Sequence, residues 1–188
     1  MFEVFQKGEI LGKYAEAKKG LSTGDNNIFI RNWFEINFRQ LGLNLASFNP
    51  NFKWYPINKG GSFRKWYGNN LAVVNWENDG EALKNFKKSV IRNSKFYFKE
   101  GLTWTMISSG NFGIRFSRKG SLFEGAGPSL FAENHLLYFL GFLTTSLVQF
   151  LLNMINPTLN YNIENIKNLP ILFNDYYNSE IGIYLHKK

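Results

Sequence analysis

A chain of 188 residues, 44% hydrophobic and 19% charged, is long enough for one domain with a sizeable core and too apolar for a disordered segment. It has no cysteine and two histidines, His135 and His186, which excludes disulfides, thiolate zinc sites, cysteine nucleophiles and a histidine-built metal centre. The net charge of +8 favours a polyanionic partner over a basic one.

The first nineteen residues, MFEVFQKGEILGKYAEAKK, have no apolar run behind basic residues, so no secretion signal is read and a cytoplasmic location is expected. Within them a helix is predicted around residues 9–18. Gly20, Gly24 and Asp25-Asn26-Asn27 mark a turn. IFIRNWFEINF then follows with apolar residues too dense for clean periodicity and is read as a strand.

Residues 53–70, KWYPINKGGSFRKWYGNN, hold four basic residues, five aromatics and three glycines. LAVVNWE after them is β-branched and aromatic, the composition of a largely buried strand. Asn78 and Glu81 have the spacing of a capping box, and Leu83, Phe86 and Val90 follow at helical spacing beside Lys84, Lys87 and Lys88, which predicts a short basic amphipathic helix. From Gly101 the period becomes two. Leu102, Trp104 and Met106 alternate with Thr103 and Thr105, and Phe112, Ile114 and Phe116 alternate with Gly113, Arg115 and Ser117. Two strands are predicted, joined through SSGN and followed by a turn at residues 118–121.

The apolar run over residues 136–155 has the length of a membrane span. Gly141, Thr144-Thr145-Ser146, Gln149 and Asn153 fit two short buried helices better, the second capped by Thr144 or Thr145 and stopped before Pro157. The expected fold is a single α+β (mixed α/β) domain with a twisted, mostly antiparallel sheet, one basic helix and a late buried helical pair.

Charge is unevenly placed along this order. Residues 53–119 carry thirteen Lys/Arg and four Asp/Glu, a balance of +9, and the remainder nine and ten, a balance of −1. Such a block suits a phosphate-binding surface, and equally a solubilising face. Chemistry has little to stand on: HExxH, GxxxxGK[ST] and a strand-linked GxGxxG are all missing. His135 beside Glu133 reads as structural. Asn156-Pro157-Thr158-Leu159 departs from the Asn-Pro-Pro-aromatic loop of adenine methyltransferases at its last two positions and reads as a helix-terminating turn.

Five segments in order, GLSTGDNNIFIRNWFEI, KWYPINKGGSFRKWYGNN, VVNWENDGEALK, RNSKFYFKEGLTWTMISSGNFGIRFSRKGSLFEGAGPSLF and NPTLNYNIENIKNLPI, resemble the target-recognition region of large adenine-specific DNA methyltransferases. These are the BREX phage-resistance methylases and related single-chain restriction-modification enzymes. The resemblance covers residues 19–171 and leaves 172–188 as an extension of unassigned role. It implies a domain that reads double-stranded DNA and presents it to a catalytic domain, fused or separate, which flips an adenine and methylates it from S-adenosylmethionine. This chain would then be a specificity domain with no catalysis and no cofactor of its own.

Residue chemistry adds roles. In residues 59–61 the glycines Gly60 and Gly61 allow close backbone approach, while Lys59, Arg64 and Lys65 supply phosphate-seeking charge. Asn58, Asn69 and Asn70 carry amides able to pair with adenine, and are also turn formers. Trp54, Tyr55, Phe63, Trp66 and Tyr67 are read as core and scaffold. Arg115 is expected to point away from its apolar strand neighbours and to continue a basic surface with Arg118 and Lys119, or else to guard an exposed hairpin edge. Thr23 and Asn26 lie in the turn resembling the family's entry motif, where they touch DNA or simply fold the loop. A protein-interaction module without DNA binding is the alternative function.

Overall fold

The computed structural model describes residues 8–156 and 158–171; residues 1–7, Pro157, and the extension 172–188 with His186 lie outside the described residues. Alternating side chains build most of the strands, and the chain runs β1 (Glu9–Ile10), β2 (Glu16–Lys18), α1 (Asn26–Phe29), β3 (Ile30–Asn32), β4 (Trp54–Asn58), β5 (Ala72–Asn75), α2 (Glu77–Asn85), β6 (Gly101–Trp104), β7 (Ile114–Ser117), β8 (Leu122–Phe123), β9 (Ser129–Phe131), α3 (Leu136–Leu143), α4 (Ser146–Ile155), α5 (Ile163–Lys167) and β10 (Pro170–Ile171). This is the expected α+β class. The strands form two four-stranded sheets and a ribbon where one sheet was expected: β2-β9-β6-β7, β3-β5-β4-β8 and β1-β10. All pairings are antiparallel except β4 with β8.

Two cores explain the split. One face of β2-β9-β6-β7, with Ala17, Leu102, Trp104, Ile114 and Leu130, shares a core with Phe139, Leu143, Val148, Leu151, Leu152 and Ile166 of the late helices. The second core joins Tyr55, Ile57 and Val74 of the other sheet to Trp76, Leu83, Phe96, Tyr97, Phe98 and Phe123. Phe131 of β9 joins it from the first sheet, its ring centroid 4.9 Å from that of Phe96 and 5.3 Å from that of Phe123. Side chains of one strand face alternate ways, so the surface that carries Phe131 also carries Ser129. Register then sets Ser129, Thr103 and Arg115 side by side across β9, β6 and β7. All three are buried.

Local chemistry corrects several expectations. Residues 9–18 form β1, a 3-10 turn at Leu11–Lys13 and β2 in place of a helix, because Ala17 alternates with exposed Glu16 and pairs with Leu130. IFIRNWFEINF is only briefly a strand. The Asp25 carboxylate accepts from Asn27 N at 2.9 Å to start α1, and a capping box between Asn32 and Glu35 turns the chain again at Trp33–Glu35. The box expected at Asn78 and Glu81 does not form. Asn78, Asp79 and Gly80 are left-handed, with φ of 52, 56 and 74°, while Trp76 Nε1 donates to Asp79 Oδ1 at 3.1 Å. A Cβ at Gly80 would come within 2.7 Å of the Trp76 ring. The helix ends at Asn85, so Lys87 and Lys88 lie outside it, and with Glu77, Asp79 and Glu81 against Lys84 it is not basic.

The late apolar run is two helices, as its polar interruptions predict. α3 and α4 meet at 72°, and among the described residues no single helix is long and apolar enough to cross a membrane. Thr145 Oγ1 accepts from Val148 N at 3.3 Å to cap α4. The pair is only partly buried, since Leu147, Phe150 and Met154 of α4 are exposed.

Candidate nucleic-acid interface

The loop over residues 59–71 is held along the edge of the first sheet. Trp66 N donates to Ile114 O at 3.0 Å and Phe116 N donates to Trp66 O at 2.8 Å, an added rung beside β7. This rung occupies the edge that would otherwise be free to pair with another chain. Trp66 is left-handed, with φ of 70°, and the loop side chains turn outward. Phe63, Trp66 and Tyr67, expected as scaffold, are exposed; Tyr55 is buried and Trp54 half-buried as expected.

A cleft of about 360 Å³ opens between this loop, the segment after β3 and the β7–β8 turn. Pro56 and Val73, register partners on β4 and β5, floor it. Trp33 and Phe38 from the segment after β3, Tyr67 and Asn70 from the loop, and Arg118 and Lys119 from the turn line it. The aromatic walls are open to solvent, with Trp33 44%, Phe38 62% and Tyr67 49% exposed. The Arg118 guanidinium lies 5.3 Å from the Tyr67 ring centroid, an arrangement that holds a cation in place without a carboxylate. Among the described residues that line the cleft none is acidic.

The other sequence-selected residues are placed differently. Lys59 Nζ is ion-paired to Glu124 Oε2 at 3.0 Å, and Lys65 Nζ donates to Thr144 O at 2.8 Å, at the C-terminal end of α3. Gly60 and Gly61 do bring backbones close, but to their own chain: a Cβ at Gly60 would lie 2.9 Å from Ala126 O, and one at Gly61 3.0 Å from the Asn69 amide. Asn58 Nδ2 donates to Ser117 Oγ at 2.8 Å, and Asn69 Nδ2 to Ser62 O at 2.8 Å. Thr23 Oγ1 donates to Asn26 Oδ1 at 2.7 Å, folding the entry turn. Arg64 is exposed beside the loop, its Nη1 bonded only to the neighbouring Phe63 O among the described residues. Asn70, Arg118 and Lys119 are therefore the predicted residues that meet in one place.

Arg115 overturns the expectation of an exposed strand face. It is 1% exposed, because the face of β7 opposite Ile114 is covered by the second sheet and the 59–71 loop. Its Nη1 makes a long bond of 3.4 Å to Gly113 O, and Nε has no partner. Burial lowers its pKa from the usual guanidinium value to about 10.

A second basic group escaped the sequence reading. The ammonium groups of Lys18, Lys95 and Lys99 lie 5.5, 5.0 and 5.4 Å from the Phe96 ring centroid. The hydrogen bond from Lys18, with the charges of Lys95 and Lys99 adding to it, holds the Glu16 carboxyl below its usual range. Lys95 and Lys99 are four apart in sequence, but Lys18 arrives only through β2. This group flanks a larger cavity of about 620 Å³ whose lining mixes Lys13 and Lys99 with Glu16, Glu100, Glu133 and His135. Mixed charge makes it a poorer match to a polyanion than the cleft.

Comparison with known proteins supplies the context. The chain is homologous to a segment of two adenine-specific methyltransferases. It is 42% identical over 166 residues, 82% of its own length, to adenine-specific methyltransferase PglX of Lacticaseibacillus casei (strain Zhang). To adenine-specific methyltransferase BrxX of Escherichia coli O9:H4 (strain HS) it is 36% identical over 165 residues, 85% of its length. The matched segment makes up 14% and 13% of those two relatives. No protein-family model matches the chain.

Proposed function

We propose that this chain is the target-recognition domain of an adenine-specific DNA methyltransferase of a phage-defence or restriction-modification system, giving sequence specificity without catalysing methyl transfer. The observation that carries this reading is the homology: over 80% of the chain matches adenine-specific methyltransferases, yet it accounts for only 13–14% of their length. The catalytic domain and its S-adenosylmethionine are assigned to the remainder of such an enzyme. Arg118 and Lys119 in the cleft, with Arg64 on the neighbouring loop, are assigned to backbone phosphates that fix register, and Asn70 to a base edge.

Fluorescence anisotropy of a labelled random-sequence duplex between about 50 and 200 mM salt tests the proposal, because phosphate-driven affinity falls steeply over that range. Arg118→Ala with Lys119→Ala should weaken binding and flatten the salt slope by about two. An unchanged slope in the folded double variant refutes the assigned footprint.

A protein-docking reading attaches to a different surface. Leu147, Phe150 and Met154 are exposed at i, i+3 and i+7 on α4, and no charged residue occurs over 136–155. We assign this face to contact with the remainder of the methyltransferase, fused or separate. Phe150→Glu should abolish co-purification of that partner while leaving duplex binding by the isolated chain intact.

A further inference from the structure

We propose that the cleft floored by Pro56 and Val73 binds a single unstacked nucleotide, its base against the aromatic walls and its phosphate on Arg118 and Lys119. This rests on the DNA-recognition reading for its biological source, but the site is argued from its own chemistry. At about 360 Å³ it lies at the small end of ligand pockets, roughly 300–1,000 Å³. An intact duplex is far too wide to enter it, whereas one nucleotide is not.

The lining matches the three parts of a nucleotide. A base presents flat π faces, and Trp33, Phe38 and Tyr67 line the cleft as partly exposed rings. A base also presents a hydrogen-bonding edge, and the Asn44 and Asn70 amides and the Ser121 hydroxyl line the same space. A phosphate requires cations not already neutralised. Lys119 has no ion-pair partner among the described residues, and Arg118 is held by the Tyr67 ring. Guanidinium stacked on an aromatic face keeps its in-plane N–H donors free for an anion. A purely apolar ligand leaves both cations and both amides unused, and a bare phosphate leaves the rings unused. Aromatic rings, cations and amides are all engaged by an aromatic anion with a polar edge.

Stacking on an exposed aromatic contributes roughly five- to a hundred-fold in affinity per base. Three labelled probes at one salt concentration separate the sources of the nucleotide: a paired duplex, the same duplex with one unpaired bulged nucleotide, and a single strand. Calorimetric titration with dAMP tests the free nucleotide. The bulged duplex and the single strand should bind at least five-fold tighter than the paired duplex, and Trp33→Ala or Tyr67→Ala should remove the preference without lowering the melting temperature, since both side chains are exposed. Equal binding of paired and bulged duplexes, or a preference that survives both variants, overturns the cleft assignment while leaving duplex recognition standing. Binding of dAMP, lost in Trp33→Ala, with no duplex binding at low salt, supports the cleft and removes the target-recognition reading. Failure of every probe overturns both.

Discussion

Replacing Arg115 by methionine should stabilise the protein, against the usual expectation for a buried residue. The guanidinium is 1% exposed, has no carboxylate partner among the described residues and leaves Nε unbonded. The drop in its pKa from the usual guanidinium value to about 10 expresses a desolvation cost of about 3 kcal/mol, at 1.36 kcal/mol per pH unit. Because the folded value lies below the unfolded one, this cost is fully present below about pH 10 and fades only as pH rises from there toward the unfolded value. Against it stands one long bond to Gly113 O at 3.4 Å, worth at most about 1 kcal/mol. Methionine matches the length of the stem, adapts to irregular space and needs no partner. The net gain is about 1–2 kcal/mol, or a rise of roughly 2–8 °C in melting temperature for a domain this size. Urea unfolding at pH 7, followed by tryptophan fluorescence, measures it with an unchanged m-value. A fall in stability of 1 kcal/mol or more for Arg115→Met refutes the reasoning, since it would require the guanidinium to be well solvated or paired.

Gly113→Ala should dislodge the 59–71 loop, because its Cβ would lie 2.5 Å from Arg64 O and 3.1 Å from the Phe63 ring; if the proposed function holds, duplex affinity should fall several-fold at a stability cost of about 1–3 kcal/mol, and unchanged anisotropy would show that the loop is not positioned from β7. Tyr97 donates to Arg92 O at 2.9 Å and burial raises its pKa, so its neutral phenol stabilises the fold fully below about pH 10 and that stabilisation is lost as pH rises above it. Melting temperature should therefore drop more steeply above pH 10 in the wild type than in Tyr97→Phe, a difference visible in parallel thermal scans. Thr145→Ala removes the α4 cap and should cost about 1 kcal/mol, read from the urea midpoint; no shift means the helix start is held by packing alone.

Those elements whose partners lie on the page of the sequence were legible. β5, β6 and β7 follow from β-branched composition and alternation, and the break between α3 and α4 from Thr144-Thr145-Ser146. What failed depends on distant chain. Period two puts Arg115 opposite Ile114, and a sequence reader assigns that face to water; only the packing of β3-β5-β4-β8 and the loop over it reveals burial. The same holds for the glycines at 60 and 61, whose close neighbours are Ala126 and Asn69. The cleft draws its walls from residues near 33, 67 and 118, so Asn70, Arg118 and Lys119 could be chosen by chemistry but not assembled. Trp33 and Phe38 carried one usable signal, an aromatic run too dense to be packed in one strand.

Packing also revises how much of the charged block is free to meet a polyanion. Of its thirteen cations, Lys53, Lys59 and Lys84 are ion-paired to Glu77, Glu124 and Asp79, Lys65 bonds to Thr144 O, and Arg115 is buried. Arg118 and Lys119 remain in the cleft lining and Arg64 on the loop beside it. Lys87 is exposed outside either group, and Lys88, Arg92, Lys95 and Lys99 belong to another group, tied to Lys18 and Lys19 through the Ser22–Val90 backbone pair, the Asn93 bond to Lys19 O at 2.8 Å and the Phe96 ring. Each neutralised phosphate steepens the plot of log affinity against log salt by about 0.9. A duplex seated on the cleft alone should thus give a slope near −2 to −3, whereas one spanning both groups approaches −6. If the slope is steep, Lys95→Ala with Lys99→Ala must flatten it by about two; if they leave a steep slope untouched, the cations involved are ones that the fold has here assigned to internal pairs.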